Sequence, residues 1–217
     1  MQKIKTLFKI DPITHLLTEE VVEGSEWVIN GEGTPYEKFD GTACMIRNNK
    51  LYRRFDRKVS KPAPEGWEPC EAEPNKSGHW PGWIPVSESN PQDKWHVEAF
   101  KNSSVINPFT DEKILLTSEW IDGTYELVGP KIQGNPYKIN EHYLWIHNSH
   151  DLDGKTWNHL VNVPRNFSEL KEYLTLANNT SRAVFPHTLE FEYFEGIVWH
   201  RDNGDMVKIR TKDFKRI

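Results

Sequence analysis

The residues with the clearest chemical potential lie in Glu37-Lys38-Phe39-Asp40-Gly41-Thr42. A lysine two residues before an Asp-Gly pair can be a covalent nucleophile at a tight turn. Lys-x-Asp-Gly alone is common in surface turns, and its force comes from three further motifs at wide spacing. Tyr125-Glu126-Leu127-Val128-Gly129, Glu195-Gly196-Ile197-Val198 and Val207-Lys208-Ile209-Arg210 come in that order. A free lysine amine titrates near ~10.4, so attack at neutral pH requires partial burial or a neighbouring cation. Lys208 and Arg210 supply that cation if their strand runs beside Lys38. They alternate with Val207 and Ile209, as on a half-buried strand lining a pocket. Both heads would then steady the charge that develops on an attacked α-phosphate.

Carboxylates repel phosphate, so Glu126 and Glu195 are read as holding hydrated Mg²⁺, directly or through its waters, with Asp40 as a third member. Gly41 and Gly196 allow close backbone approach. Val198 would press one adenine face, and Tyr143 or Trp145 would stack on the other. Taken singly, each has a plain structural explanation: Glu195-Gly196 as a turn, Lys208 and Arg210 as solvent-facing, Tyr143 and Trp145 as core. Their joint occurrence in this order carries the reading. His147 and His150 lack further partners at zinc-site spacing, and neither a Walker loop nor a Gly-x-Ser-x-Gly elbow is present.

These residues need strands to position them. Ala43 to Arg47 and Lys50 to Phe55 read as a hairpin turning at Asn48-Asn49, because asparagine tolerates left-handed backbone. That turn would fold Arg53 and Arg54 back toward Lys38. Glu26 to Ile29, Trp95 to Phe100, Ile114 to Trp120, Thr124 to Val128, His142 to His147, Thr188 to Trp199 and Met206 to Ile209 read as further strands. Asp122-Gly123 is expected to turn between two of them, and Asp202-Asn203-Gly204 between the last two. A helix is expected over Ser168 to Asn178, capped by Ser168 or Asn166, with Leu170, Tyr173, Leu174 and Ala177 on one face. A weaker helix is expected over Asp11 to Val21. Residues 59–94 are rich in proline and glycine and carry Trp67, Trp80 and Trp83, which reads as an ordered insertion. The expected class is α+β, one domain over residues 1–217 with antiparallel sheets.

The 217 residues suffice for one large domain or two small ones, and 36% hydrophobic and 27% charged content fits a soluble protein. No apolar run approaches the ~20 residues of a membrane span, and the N-terminus does not read as a signal peptide. With Cys44 and Cys70 the only cysteines, reduced thiols and a cytoplasmic location are expected. Net charge is -5, yet two basic islands stand out. Arg53, Arg54, Arg57, Lys58 and Lys61 oppose Asp56, while Lys208, Arg210, Lys212, Lys215 and Arg216 oppose Asp213.

Together these motifs resemble the covalent nucleotidyltransferase superfamily of RNA ligases, DNA ligases and mRNA capping enzymes. Lys38-Phe39-Asp40-Gly41-Thr42, Arg54-Phe55-Asp56-Arg57-Lys58 and Gly134-Asn135-Pro136-Tyr137 are similar to the compact, single-domain, ATP-dependent 5′-to-3′ RNA ligases. The resemblance implies an adenylation domain with antiparallel sheets flanked by helices. It also implies that Lys38 takes AMP from ATP, passes it to an RNA 5′-phosphate, and that a 3′-hydroxyl then displaces it. Arg53 or Arg54 would touch the ribose or the 5′-phosphate, and Glu126 the ribose or metal waters. Glu195 would position metal near Lys38, Lys208 and Arg210 would hold the α-phosphate, and the Glu37 backbone would read the adenine edge.

Arg210 departs from the lysine many relatives carry there, offering a planar fork in place of a point charge. Because the sequence closes soon after Arg210, no C-terminal OB-fold is expected. The RNA grip is then sought in the basic islands and the insertion's tryptophans. No protein partner is implied. The alternatives are a DNA-sealing or GTP-dependent capping relative, and a nucleotide- or RNA-binding protein without catalysis.

Overall fold

The structure is a computed structural model that describes residues 4–102, 104–106, 113–115, 120–147, 159–177, 182–183, 190–191 and 193–214. It divides into two compact units, and the chain passes from one to the other between Phe39 and Asp40. Among the described residues, 4–39 and those from 159 onward build the first, and 40–106 and 113–147 build the second. All strand pairs but one among the described residues are antiparallel, so the α+β class with antiparallel sheets is observed.

In the first unit β1 (Lys5–Thr6), β2 (Phe8–Ile10), β3 (Leu17–Val21), helix α1 (Glu26–Ile29) and β4 (Thr34–Lys38) come from the N-terminal part. Helix α3 (Phe167–Ala177), β13 (Arg182–Ala183), β14 (Glu190–Phe191), β15 (Gly196–His200) and β16 (Met206–Arg210) come later in the chain. A four-stranded sheet has the order β1-β16-β15-β4. Its alternation sends Ile197, Trp199, Val207 and Ile209 into a core with Leu7, Phe8, Leu170 and Leu174. Burying each such side chain contributes about 2 kcal/mol. The opposite face carries Lys38, Gly196, Val198, Lys208 and Arg210.

The second unit holds a six-stranded sheet of order β12-β11-β5-β6-β8-β7. Its strands are β5 (Thr42–Arg47), β6 (Lys50–Lys58), β7 (Glu68–Pro69), β8 (His79–Pro85), β11 (Gly123–Val128) and β12 (Tyr143–Ile146). Helix α2 (Lys94–Lys101) and the pair β9 (Ser104–Ile106) and β10 (Lys113–Leu115) complete it. Cys44, Ile46, Leu51, Tyr125, Leu127 and Leu144 form its core on one sheet face. The expected hairpin is β5–β6, with Asn48 and Asn49 at φ 52° and 57°. Cys44 and Cys70 are unbonded thiols. Among the described residues no helix is long and apolar enough to cross a membrane.

Three expected elements differ. Glu26 to Ile29 is a single helical turn, not a strand: Trp27 and Val28 are both buried, and neighbours on a strand would face opposite ways. Trp95 to Phe100 is helix α2, buried through His96 and Ala99 at i, i+3. A 3-10 turn over Pro91–Asp93 leads into it, and the Asn90 side chain caps that turn by accepting from the Gln92 N–H. Asp11 to Val21 is no helix: Asp11 Oδ1 accepts from the Ile13 and Thr14 N–H groups, closing a turn that feeds β3.

Helix α3 is as expected through Ala177, with Asn166 accepting from the Glu169 N–H; Asn178 lies outside the described residues. Asp122-Gly123 does not join neighbouring strands, since β11 pairs with β5 and β12 and β10 pairs with β9. Residues 116–119, 188–189 and 192 of two expected strands lie outside the described residues, as do His150, Lys215 and Arg216. Residues 193–195 within the expected Thr188 to Trp199 strand are not strand but lead into β15.

Candidate active site

Lys38 ends β4, Gly196 starts β15 and Arg210 ends β16, and the three fall in one row across the sheet. The next row holds Tyr36, Val198 and Lys208. The expected adjacency of the basic strand and the lysine strand is therefore corrected: β15 runs between them. With strands ~4.8 Å apart, long side chains bridge the gap provided the middle position is small. Gly196 meets that need and is also forced by its neighbours. A Cβ there would sit 2.1 Å from Ile209 O and 2.8 Å from the Arg210 Cα.

Lys38 Nζ donates to Glu195 Oε2 at 2.6 Å and to the Phe39 carbonyl at 3.1 Å. Glu195 is 4% exposed and the Lys38 side chain 20%. The Glu195 backbone is fixed by the Thr211 N–H, which donates to its carbonyl at 2.8 Å. Thr211 Oγ1 donates to the Phe194 carbonyl. Arg210 grips buried Asp213 through Nε and Nη2, the latter at 2.7 Å. Glu37 sits on the core side of β4, buried opposite Ile197. The cavity of about 550 Å³ lined by Thr34, His200 and Asn203 is at the far end of these strands from Lys38.

Burial, then the charges of Lys38 and Arg210, lower the Lys208 amine to about 8. The unfolded chain holds that proton up to the ordinary lysine range, so between about pH 8 and about pH 10 it binds more protons than the folded one. Lys208 therefore weakens the fold below pH 8, and that penalty lifts as pH rises. Urea unfolding should show a stability rise over this window that Lys208→Met reduces; an identical slope in the variant contradicts the assignment.

In the six-stranded unit, Glu126 pairs across the sheet with Ala43 and Trp145. Glu126 Oε2 lies 3.0 Å from His147 Nε2, and His147 Nδ1 lies 3.1 Å from Thr124 Oγ1. Trp145, 7% exposed, meets Tyr137 edge-on at 4.8 Å, and the Tyr137 hydroxyl accepts from the Asp40 N–H. Tyr143 donates to Glu141, and burial pushes its phenol up to about 12. Gly41 passes so close to β11 that a Cβ would lie 2.2 Å from Leu127 O.

Arg54 shares the Glu126 face through the Met45–Tyr52 and Arg54–Trp83 registers, and its Nε donates to Asp56. Arg53 does not join them. It turns to the core face, where its Nε donates to buried Asp93 at 2.6 Å. Sequence reasoning missed His147 and Tyr137 as partners of the site residues. Strand alternation from Thr124 and Glu126 to their cross-strand neighbours was the signal available for His147. No group of three or more His, Cys, Asp or Glu suited to a metal occurs among the described residues.

The family model for RNA ligase 1 matches residues 65–215. The chain belongs to the RNA ligase 1 family. The matched stretch includes Glu126, Glu195, Lys208 and Arg210 and begins after Lys38. RNA ligase 1 of Pongo abelii is 30% identical over 225 residues, covering 81% of this chain and 65% of that protein. RNA ligase 1 of Rattus norvegicus is 28% identical over 246 residues, covering 90% and 70%. The chain thus spans about two thirds of the length of these relatives. A solved Naegleria gruberi RNA ligase with AMP and Mn is 16% identical, with coverage of 98% of this chain and 60% of that one, at a TM-score of 0.35.

Proposed function

We propose that this member of the RNA ligase 1 family is an ATP-dependent RNA ligase with a nucleotidyltransferase fold, joining 5′-phosphate and 3′-hydroxyl ends through lysyl-AMP. The observation that carries the reading is the Lys38–Glu195 contact of 2.6 Å on the sheet face that also bears Lys208 and Arg210.

Lys38 must shed a proton before it attacks, and the Glu195 carboxylate is within reach of that proton. The amine then bonds to the α-phosphorus of ATP and pyrophosphate leaves. Lys208 and Arg210 would stabilise the charge gathering on the phosphoryl oxygens, where preorganised cations act most strongly. An RNA 5′-phosphate oxygen next attacks that phosphorus, the N–P bond breaks, and the adenylated end is opened by a 3′-hydroxyl with AMP leaving. Arg54, Glu126 and Trp145 are assigned to the 5′-phosphate, ribose and base on the family resemblance.

Mg²⁺ binds through one or two carboxylates while keeping several waters, and Glu195, buried beside Lys38, suits that mode. When bound, the ion would offset phosphate charge.

The test is label transfer to denatured protein from α-labelled ATP with Mg²⁺, run against GTP, followed by sealing of RNA and DNA ends. Label from ATP and sealing of RNA are expected; a preference for GTP or for DNA ends contradicts the proposal. Glu195→Gln, which keeps shape and loses charge, is expected to slow label transfer by about 10²-fold. An unchanged rate removes Glu195 from the chemistry.

A further inference from the structure

Arg57 is the exception among the arginines whose side chains are described. Arg47 is held by Glu68, Arg53 by Asp93, Arg54 by Asp56, Arg201 by Glu32 and Arg210 by Asp213, while Arg165 donates to backbone carbonyls. Among the described residues Arg57 has no ion-pair partner, and its Nε is buried without a hydrogen-bond partner. Its guanidinium is nevertheless fixed, lying 4.9 Å from the Trp67 ring centre and 5.6 Å from that of Trp80.

Both indoles are themselves pinned. Trp67 Nε1 donates to the Phe55 carbonyl and Trp80 Nε1 to the Glu71 carbonyl. The rings meet edge-to-face at 5.5 Å. Trp80 is the direct cross-strand neighbour of Arg57, and Gly82 is bare where Trp67 lies, since a Cβ there would come within 2.3 Å of Trp67 Nε1. All three side chains are half-buried. Asp56, the adjacent acid, is engaged by Arg54.

We propose that Arg57, Trp67 and Trp80 form a subsite for single-stranded RNA, with Arg57 on a backbone phosphate and the exposed ring surface stacking a base. A guanidinium fork matches phosphate oxygens bidentately, and aromatic platforms accept any unpaired base. Here the fork is already oriented and no carboxylate among the described residues holds it, so binding displaces none of their ion pairs. Lys58 and Lys61 add charge nearby in the chain. The inference rests on the ligase reading for its choice of polymer.

The test measures binding, not joining, with a labelled single-stranded RNA carrying a 5′-hydroxyl and a 3′-phosphate, titrated at several salt concentrations. Arg57→Gln is expected to weaken binding about tenfold and to reduce the slope of log affinity against log salt by roughly 0.7, one phosphate contact. Arg57→Lys should restore the slope but only part of the affinity, because the fork is lost. Unchanged affinity in Arg57→Gln overturns the subsite, as does a loss without a change of slope. Absence of RNA binding by the unaltered protein overturns it even if Lys38 takes AMP. Arg57-dependent binding without any AMP adduct leaves the subsite standing and defeats the ligase reading.

Discussion

Lys38→Ala is expected to reduce AMP transfer to the protein by at least about 10³-fold, because the bond-forming atom itself is removed. Lys38→Arg is expected to fail as fully, since a guanidinium keeps its proton at any working pH. The fold should survive both changes: the Lys38 side chain is on the sheet face away from the core. Label transfer measured alongside urea unfolding separates the two effects. A labelled Lys38→Ala protein contradicts the assignment of the nucleophile.

Gly196→Ala is expected to lower stability by about 3 kcal/mol and to cut AMP transfer with it. The added methyl meets backbone, Ile209 O at 2.1 Å and the Arg210 Cα at 2.8 Å, so no side-chain rotation relieves it. β16 must move away from β15, and Arg210 and Lys208 move with it. Urea unfolding and label transfer on the same sample read both consequences. A variant as stable and as active as the parent contradicts the close approach.

The ordered motifs were legible because each site residue sits at a strand end or in strand alternation, which sequence shows directly. Lys208 and Arg210 alternate with Val207 and Ile209 as the half-buried strand requires, and the Asn48-Asn49 turn announces β5–β6. Sheet order was not legible. Nothing local reveals that β15 separates β4 from β16, or that Gly196 is the bare position between Lys38 and Arg210. Short apolar runs misled for a physical reason: over four to six residues, strand and helix turn bury similar patterns, as Glu26 to Ile29 and Trp95 to Phe100 illustrate. The alternation that separates Arg53 from Arg54 was available in sequence, but which face was core depended on Asp93, forty residues away. Pairing of His147 with Glu126 likewise needed the β11–β12 register.

The most direct measurement is intact mass after exposure to ATP and Mg²⁺, with peptide mapping of any adduct. One added AMP, located on Lys38 and absent from Lys38→Ala, is the predicted result. An unaltered mass, or an adduct on another residue, would contradict the claim that this amine bonds to phosphorus.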